Sequence, residues 1–146
     1  MKRVISFFLA MTLILGCCSF AALADDTAKD IPDGTDPAKF SYLNSVGALI
    51  DKKALGFVIC ASKFTMIQSG YLVTLTCTLQ RTDGSSGWLT YKSESQTFAS
   101  GSADSVEKTW FAPAGYTYRT LTRAVVRDST STVVEVATVA SSLIYK

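Results

Sequence analysis

Side chains able to do chemistry are scarce in this sequence. The chain of 146 residues contains no histidine. That removes the base of every Ser-His-Asp or Cys-His arrangement, and every imidazole metal ligand. Cys60 and Cys77, without histidine, fall short of a tetrahedral zinc set. The remaining route to catalysis is through carboxylates or a Ser–Lys dyad. Beyond the N-terminal segment the carboxylates are Asp51, Asp83, Glu94, Asp104, Glu107, Asp128 and Glu135. Only Glu135, in "TVVEVATV", lies in an apolar stretch. Strand parity groups it with Val133, Ala137 and Val139, so it is read either as a partly covered functional carboxylate or as a solvated or Arg-paired one. No catalytic residue, cofactor or metal is expected.

Three further groupings bear on binding and covalent chemistry. Arg119, Arg123 and Arg127 recur every four residues, with Leu121 and Val125 between them. On a strand all three point the same way and span about 27 Å. Such a stripe suits an anionic wall polymer or an acidic partner protein; the alternative is solubility and protection of a strand edge. "DIPDGTDP" places Asp30, Asp33 and Asp36 around a glycine, loosely like an oxygen-ligand calcium loop, but the spacing matches no defined calcium motif and a solvated linker is the expectation. Cys60 and Cys77 flank "QSG". A tight hairpin centred on Gln68-Ser69 puts them opposite each other, where a disulfide worth about 3 kcal/mol could form. Two buried thiols acting as small hydrophobes are the alternative.

The first residues of the chain set the compartment. Lys2 and Arg3 precede an apolar run from Val4 to Leu15. That run is shorter than the roughly 20 residues of a membrane span and fits a secretory leader. Ala22-Leu23-Ala24 predicts cleavage after Ala24 and a secreted protein. The competing site, Ile14-Leu15-Gly16-Cys17, resembles a bacterial lipobox and would leave the chain lipid-anchored through Cys17 at the outer face of the membrane. Cleavage after Ala24 discards Lys2 and Arg3, and the rest then carries 12 Lys and Arg against 12 Asp and Glu. A neutral chain gives no reason to expect a nucleic-acid partner, and no membrane span is expected after processing.

Residues 25–54 read as an acidic, polar linker followed by "FSYLNSVGALIDKKAL", either a short helix or an irregular cover. From residue 55 to 146 the pattern is β. In "YLVTLTCTLQ", Tyr71, Val73, Leu75, Cys77 and Leu79 share one face and the threonines the other. "GFVICASKFTMI" precedes it. "WLTYKSES", a short edge segment "QTFAS", and "DSVEKTWF" with an ambiguous inward face follow. In "GYTYRTLTRAVVR", Tyr116, Tyr118, Thr120, Thr122, Ala124 and Val126 lie opposite the arginines. About seven strands at short, regular spacing, with no long helix, predict an antiparallel β-sandwich.

"FAPAGYTYRTLTRAVV" resembles the E–F corner of fibronectin type III and related immunoglobulin-like sandwiches. There a tyrosine near the start of strand F bonds back to the upstream backbone, which makes Tyr116 and Tyr118 the candidates. The set "LVTLTCTLQR", "GWLTY", "GYTYR" and "VEVATV", behind a leader and a polar lead-in, resembles a family of short exported Gram-positive bacterial proteins of unknown function. That resemblance implies export and the sandwich, and carries over no catalytic residue. The function expected is therefore an exported non-catalytic binding or cell-surface module, with a cell-wall polymer or another surface protein as partner. A secreted antimicrobial or inhibitory effector, and then a carboxylate-based hydrolase, are the alternatives.

Overall fold

A computed structural model describes residues 40–99, 101 and 103–146. Among these the regular structure is almost wholly strand: β1 Leu43–Lys52, β2 Phe57–Met66, β3 Leu72–Thr82, β4 Leu89–Ala99, β5 Ala103–Phe111, β6 Thr117–Arg127, β7 Val133–Ala140 and the short β8 Ile144–Tyr145. One 3₁₀ turn, Ala54–Gly56, joins β1 to β2. No helix among the described residues is long and apolar enough to cross a membrane. The leader sites at Cys17 and Ala24, and Asp30, Asp33 and Asp36, lie outside the described residues.

The strands form two antiparallel sheets, ordered β1-β2-β5 and β4-β3-β6-β7, with β8 pairing the start of β6. This is the layered antiparallel β-sandwich expected from the alternation. Period two explains the core directly. Val58, Cys60, Ser62 and Phe64 point inward from β2, Val73, Leu75, Cys77 and Leu79 from β3, and Tyr118, Thr120, Thr122, Ala124 and Val126 from β6. All are buried between the sheets.

Three expectations need correction. The segment before residue 55 is neither helix nor irregular cover: Leu43–Lys52 is an edge strand, so the sandwich begins well upstream of residue 55. Val46, Leu43 and Ile50 pack on or in the core at spacings that hide poorly in a sequence with exposed Leu49 between them. Second, "WLTYKSES" and "QTFAS" are one strand, β4, whose full length follows β3. Third, β2 and β3 are not a hairpin. The turn at Ile67–Gly70 carries the chain from one sheet to the other, and Gly70 takes the left-handed φ of 97° that the crossing uses. The register that placed Cys60 opposite Cys77 within one sheet therefore does not exist, and both are buried free thiols. On β5 the ambiguity resolves: Val106 is buried and Trp110 packs against the core, while Thr109 and Phe111 face out.

The two tyrosine candidates separate cleanly. Tyr118, 0% exposed, donates its hydroxyl to Pro113 O at 2.8 Å, five residues upstream. It closes the corner between β5 and β6. Tyr116 instead flanks a cation. The Arg81 guanidinium lies 4.5 Å from the ring centroids of both Tyr116 and Tyr91, and both rings meet Tyr118 edge-on. Arg81 thus caps one end of the core with its charge held against aromatic faces. Burial pushes the Tyr118 phenol above its usual range. Replacing Tyr118→Phe removes one buried hydrogen bond and leaves Pro113 O without it. Chemical denaturation should show a loss of roughly 1–2 kcal/mol with an unchanged m-value; an unchanged midpoint would mean the corner bond contributes nothing.

Candidate functional site

β6 is an interior strand, bonded to β3 on one side and to β7 on the other. Since its even-numbered residues are buried, its odd-numbered ones must face out. Arg119, Arg123 and Arg127 therefore share the outer face of the five-stranded sheet, each about 14 Å from the next. Protection of a strand edge does not explain them, because β6 has no free edge.

The neighbours of each arginine follow from register. Gln80 lies opposite Arg119, Thr76 opposite Arg123 and Leu72 opposite Arg127. Arg119 Nε donates to Gln80 Oε1 at 2.9 Å, and its guanidinium sits 4.1 Å above the Trp88 ring. A planar cation clamped between an amide and an indole is oriented before any ligand arrives. Arg123 is exposed and Arg127 half-buried, and among the described residues neither forms an ion pair. Val125, between them, is buried on this outer face beside Val136.

Beside the arginine column runs a ladder of hydroxyls. Thr74 pairs with Thr97 at 3.0 Å, Thr76 with Ser95 at 2.8 Å and Thr78 with Ser93 at 3.0 Å, all across β3 and β4. Each hydroxyl keeps a second lone pair or proton for solvent or a ligand. The face is consequently cationic along β6 and rich in small donors and acceptors along β3 and β4.

The other singled-out residues lie elsewhere. Cys60 and Cys77 project into the core from opposite sheets. Burial pushes the Cys60 thiol up to about 11, partly offset by Thr120, and raises Cys77 likewise against a partial offset from Ser62. Thr120 Oγ1 has no stronger partner than that thiol, whereas Ser62 Oγ and Thr122 Oγ1 share a buried bond of 2.6 Å. Thiols held protonated in this way are poor nucleophiles.

Each carboxylate whose contacts are defined serves the fold. Glu94 pairs with Lys108 at 2.9 Å across the open β4/β5 side of the sandwich. Asp83 organises the β3–β4 turn, accepting from the backbone N–H and hydroxyl of Ser85 and of Ser86; these bonds hold its carboxyl down at about 2. Asp128 does the same for the β6–β7 turn through Thr130 and Thr132, which lower its pKa. Among the described residues no three His, Cys, Asp or Glu side chains converge as a metal site.

Glu135 is the carboxylate whose role parity suggested but could not complete. One oxygen accepts from Ser41 N–H at 2.8 Å; the other accepts from Tyr42 and Leu43 N–H at 3.1 and 2.8 Å. A charge on β7 thereby clasps the backbone at the start of β1, in the opposite sheet. Parity predicted partial cover; the partners belong to a segment read as non-strand, so no local signal could name them. The supports of Arg119 were hidden similarly, since Gln80 is 39 positions away from it in the chain. No protein-family model and no curated protein matches this sequence.

Two outcomes follow. Glu135→Gln loses the charge and one acceptor, so stability should fall by roughly 1–3 kcal/mol. Hydrogen exchange at Ser41, Tyr42 and Leu43 should accelerate; unchanged exchange there would remove the clasp from the account. Asp83, with its folded pKa depressed, adds order that is complete above the ordinary value of 3.8 and is lost as pH falls through about 2. The amide shifts of Ser85 and Ser86 should therefore titrate near pH 2, and a midpoint at 3.8 would contradict these bonds.

Proposed function

We propose that this domain is an exported, non-catalytic binding module whose outer β4-β3-β6-β7 face takes an anionic cell-wall polymer. The observation that carries the reading is three arginines on the outward side of an interior strand, one of them already oriented by Trp88 and Gln80. Acidic groups repeating along an extended polymer would meet Arg119, Arg123 and Arg127 in turn. The hydroxyl ladder beside them supplies short-range bonds to polyol or sugar units. Export is supported by the leader pattern ending at Ala24 and by the resemblance to short secreted Gram-positive proteins. Binding of this type leans on charge at a wet surface, so it weakens as salt shortens the Debye length.

The test is retention on purified cell walls across a salt series. Wild-type protein should bind at low ionic strength and elute as salt rises. Arg123→Ser with Arg127→Ser should weaken retention about thirtyfold, and adding Arg119→Ser should abolish it, at about 1 kcal/mol for each charge contact. The double variant leaves the Trp88 stack intact, so its loss cannot be assigned to damage there. Retention indifferent to salt, or unaltered in the triple variant, would overturn the proposal.

A further inference from the structure

A sheet edge is normally guarded, and three of the four edges here are. β1 carries Asp51 and Lys52, β4 carries Lys92 and Glu94, and β5 carries Asp104, Glu107 and Lys108. β7, at the end of the β4-β3-β6-β7 order in the five-stranded sheet, reads VVEVATVA. It has no proline, no glycine and one charge, Glu135, which is turned inward and occupied by three N–H groups of the β1 segment. From Ser129 to Tyr145 that is the only charged side chain. Val133 and Val136 are 47% and 46% exposed.

The direction of the backbone groups follows from the ladder. Ser141 N–H donates to Thr120 O, in line with the register that pairs Ala140 with Leu121. Bonded and non-bonded pairs alternate in an antiparallel ladder. Val139 and Ala137 therefore exchange bonds with β6, and the N–H and C=O groups of Val136 and Thr138 aim away from it, toward the edge on which β7 pairs with no strand among the described residues.

We propose that β7 pairs antiparallel with β7 of a second copy of this chain, about a twofold axis at Ala137. The segment is self-complementary for this. With Ala137 opposite its own copy, Val136 faces Thr138 of the other chain in both halves, and each such pair exchanges two backbone bonds. A β-branched residue meets a β-branched residue on the outer face, alanine meets alanine on the inner one, and no like charges are opposed. A twofold perpendicular to the sheet keeps outer face with outer face. The two β6 arginine columns then lie on one continuous surface, three strand spacings or about 14 Å apart. A second copy fits better than a charged peptide, because the edge offers no charge to select one.

The experiment is sedimentation equilibrium on protein produced from the full-length sequence, over the micromolar to millimolar range, with hydrogen exchange on the same samples. The mass should rise to that of two chains, with the Val136 and Thr138 amides protected at high concentration and exposed on dilution. Thr138→Pro removes an outward N–H while leaving the bonds to β6, and Val136→Lys puts like charges on the junction. Each should weaken self-association about tenfold or more; if the proline variant fails to fold, the lysine variant decides alone. A single-chain mass at every concentration overturns the proposal, as does a dimer that survives the substitutions or leaves those amides unprotected. Wall retention through the arginines of one chain is independent of this pairing, so the two readings fail separately.

Discussion

Tyr118, Thr120, Thr122, Ala124 and Val126 lose almost all contact with water between the two sheets, and burial of that row constrains the whole of β6. The strand cannot slip by one residue without driving Arg119, Arg123 and Arg127 into the core, where unpaired charge is heavily penalised. Pairing with β3 and β7 on either side follows the same register. The arginine face, the tyrosine corner and the outward backbone groups of β7 are consequences of that single alternation. Displace it, and none of the three survives.

The core is unusually hydroxylic for a sandwich interior. Ser62, Thr120 and Thr122 are fully buried beside Cys60 and Cys77. Ser62 and Thr122 satisfy each other, and Thr122 also reaches Gly47 O at 3.2 Å in β1. These bonds tie strands of opposite sheets, which apolar packing alone does without direction. Directional ties of this kind select one stacking of the two sheets over neighbouring ones. Thr120 Oγ1, buried beside them, makes no such bond among the described residues.

The N-terminal strand is held by different means. Among the described residues β1 pairs laterally with β2 alone, yet its first residues are gripped by Glu135 from the other sheet, and Ile67 N–H donates to Tyr42 O. Tyr42 in turn meets Tyr71 edge-on at 4.8 Å. An edge strand that would otherwise fray is therefore anchored at its start. The same contacts use up the only charge on β7 and leave that edge neutral, so the anchoring of one strand and the openness of another share a cause.

Local alternation, read from the residues alone, determined the β character beyond residue 55, the inward rows of β3 and β6 and the outward aim of the three arginines; the two tyrosine candidates came from the resemblance of "FAPAGYTYRTLTRAVV" to a sandwich corner. These are properties of a few consecutive side chains, and a period of two is visible without knowing any partner. Turn chemistry at Asp83 and Asp128 is equally local. What the chain folded in three dimensions decided was pairing: that β2 and β3 belong to different sheets, so that Cys60 and Cys77 enter the core from opposite sides and not across one hairpin, that Leu43–Lys52 is a strand, that Tyr118 and not Tyr116 reaches Pro113, and that Glu135 finds the backbone of residues 41–43. Each of these depends on register or on layers between segments tens of residues apart, and sequence periodicity says which way a side chain points but not what stands in front of it.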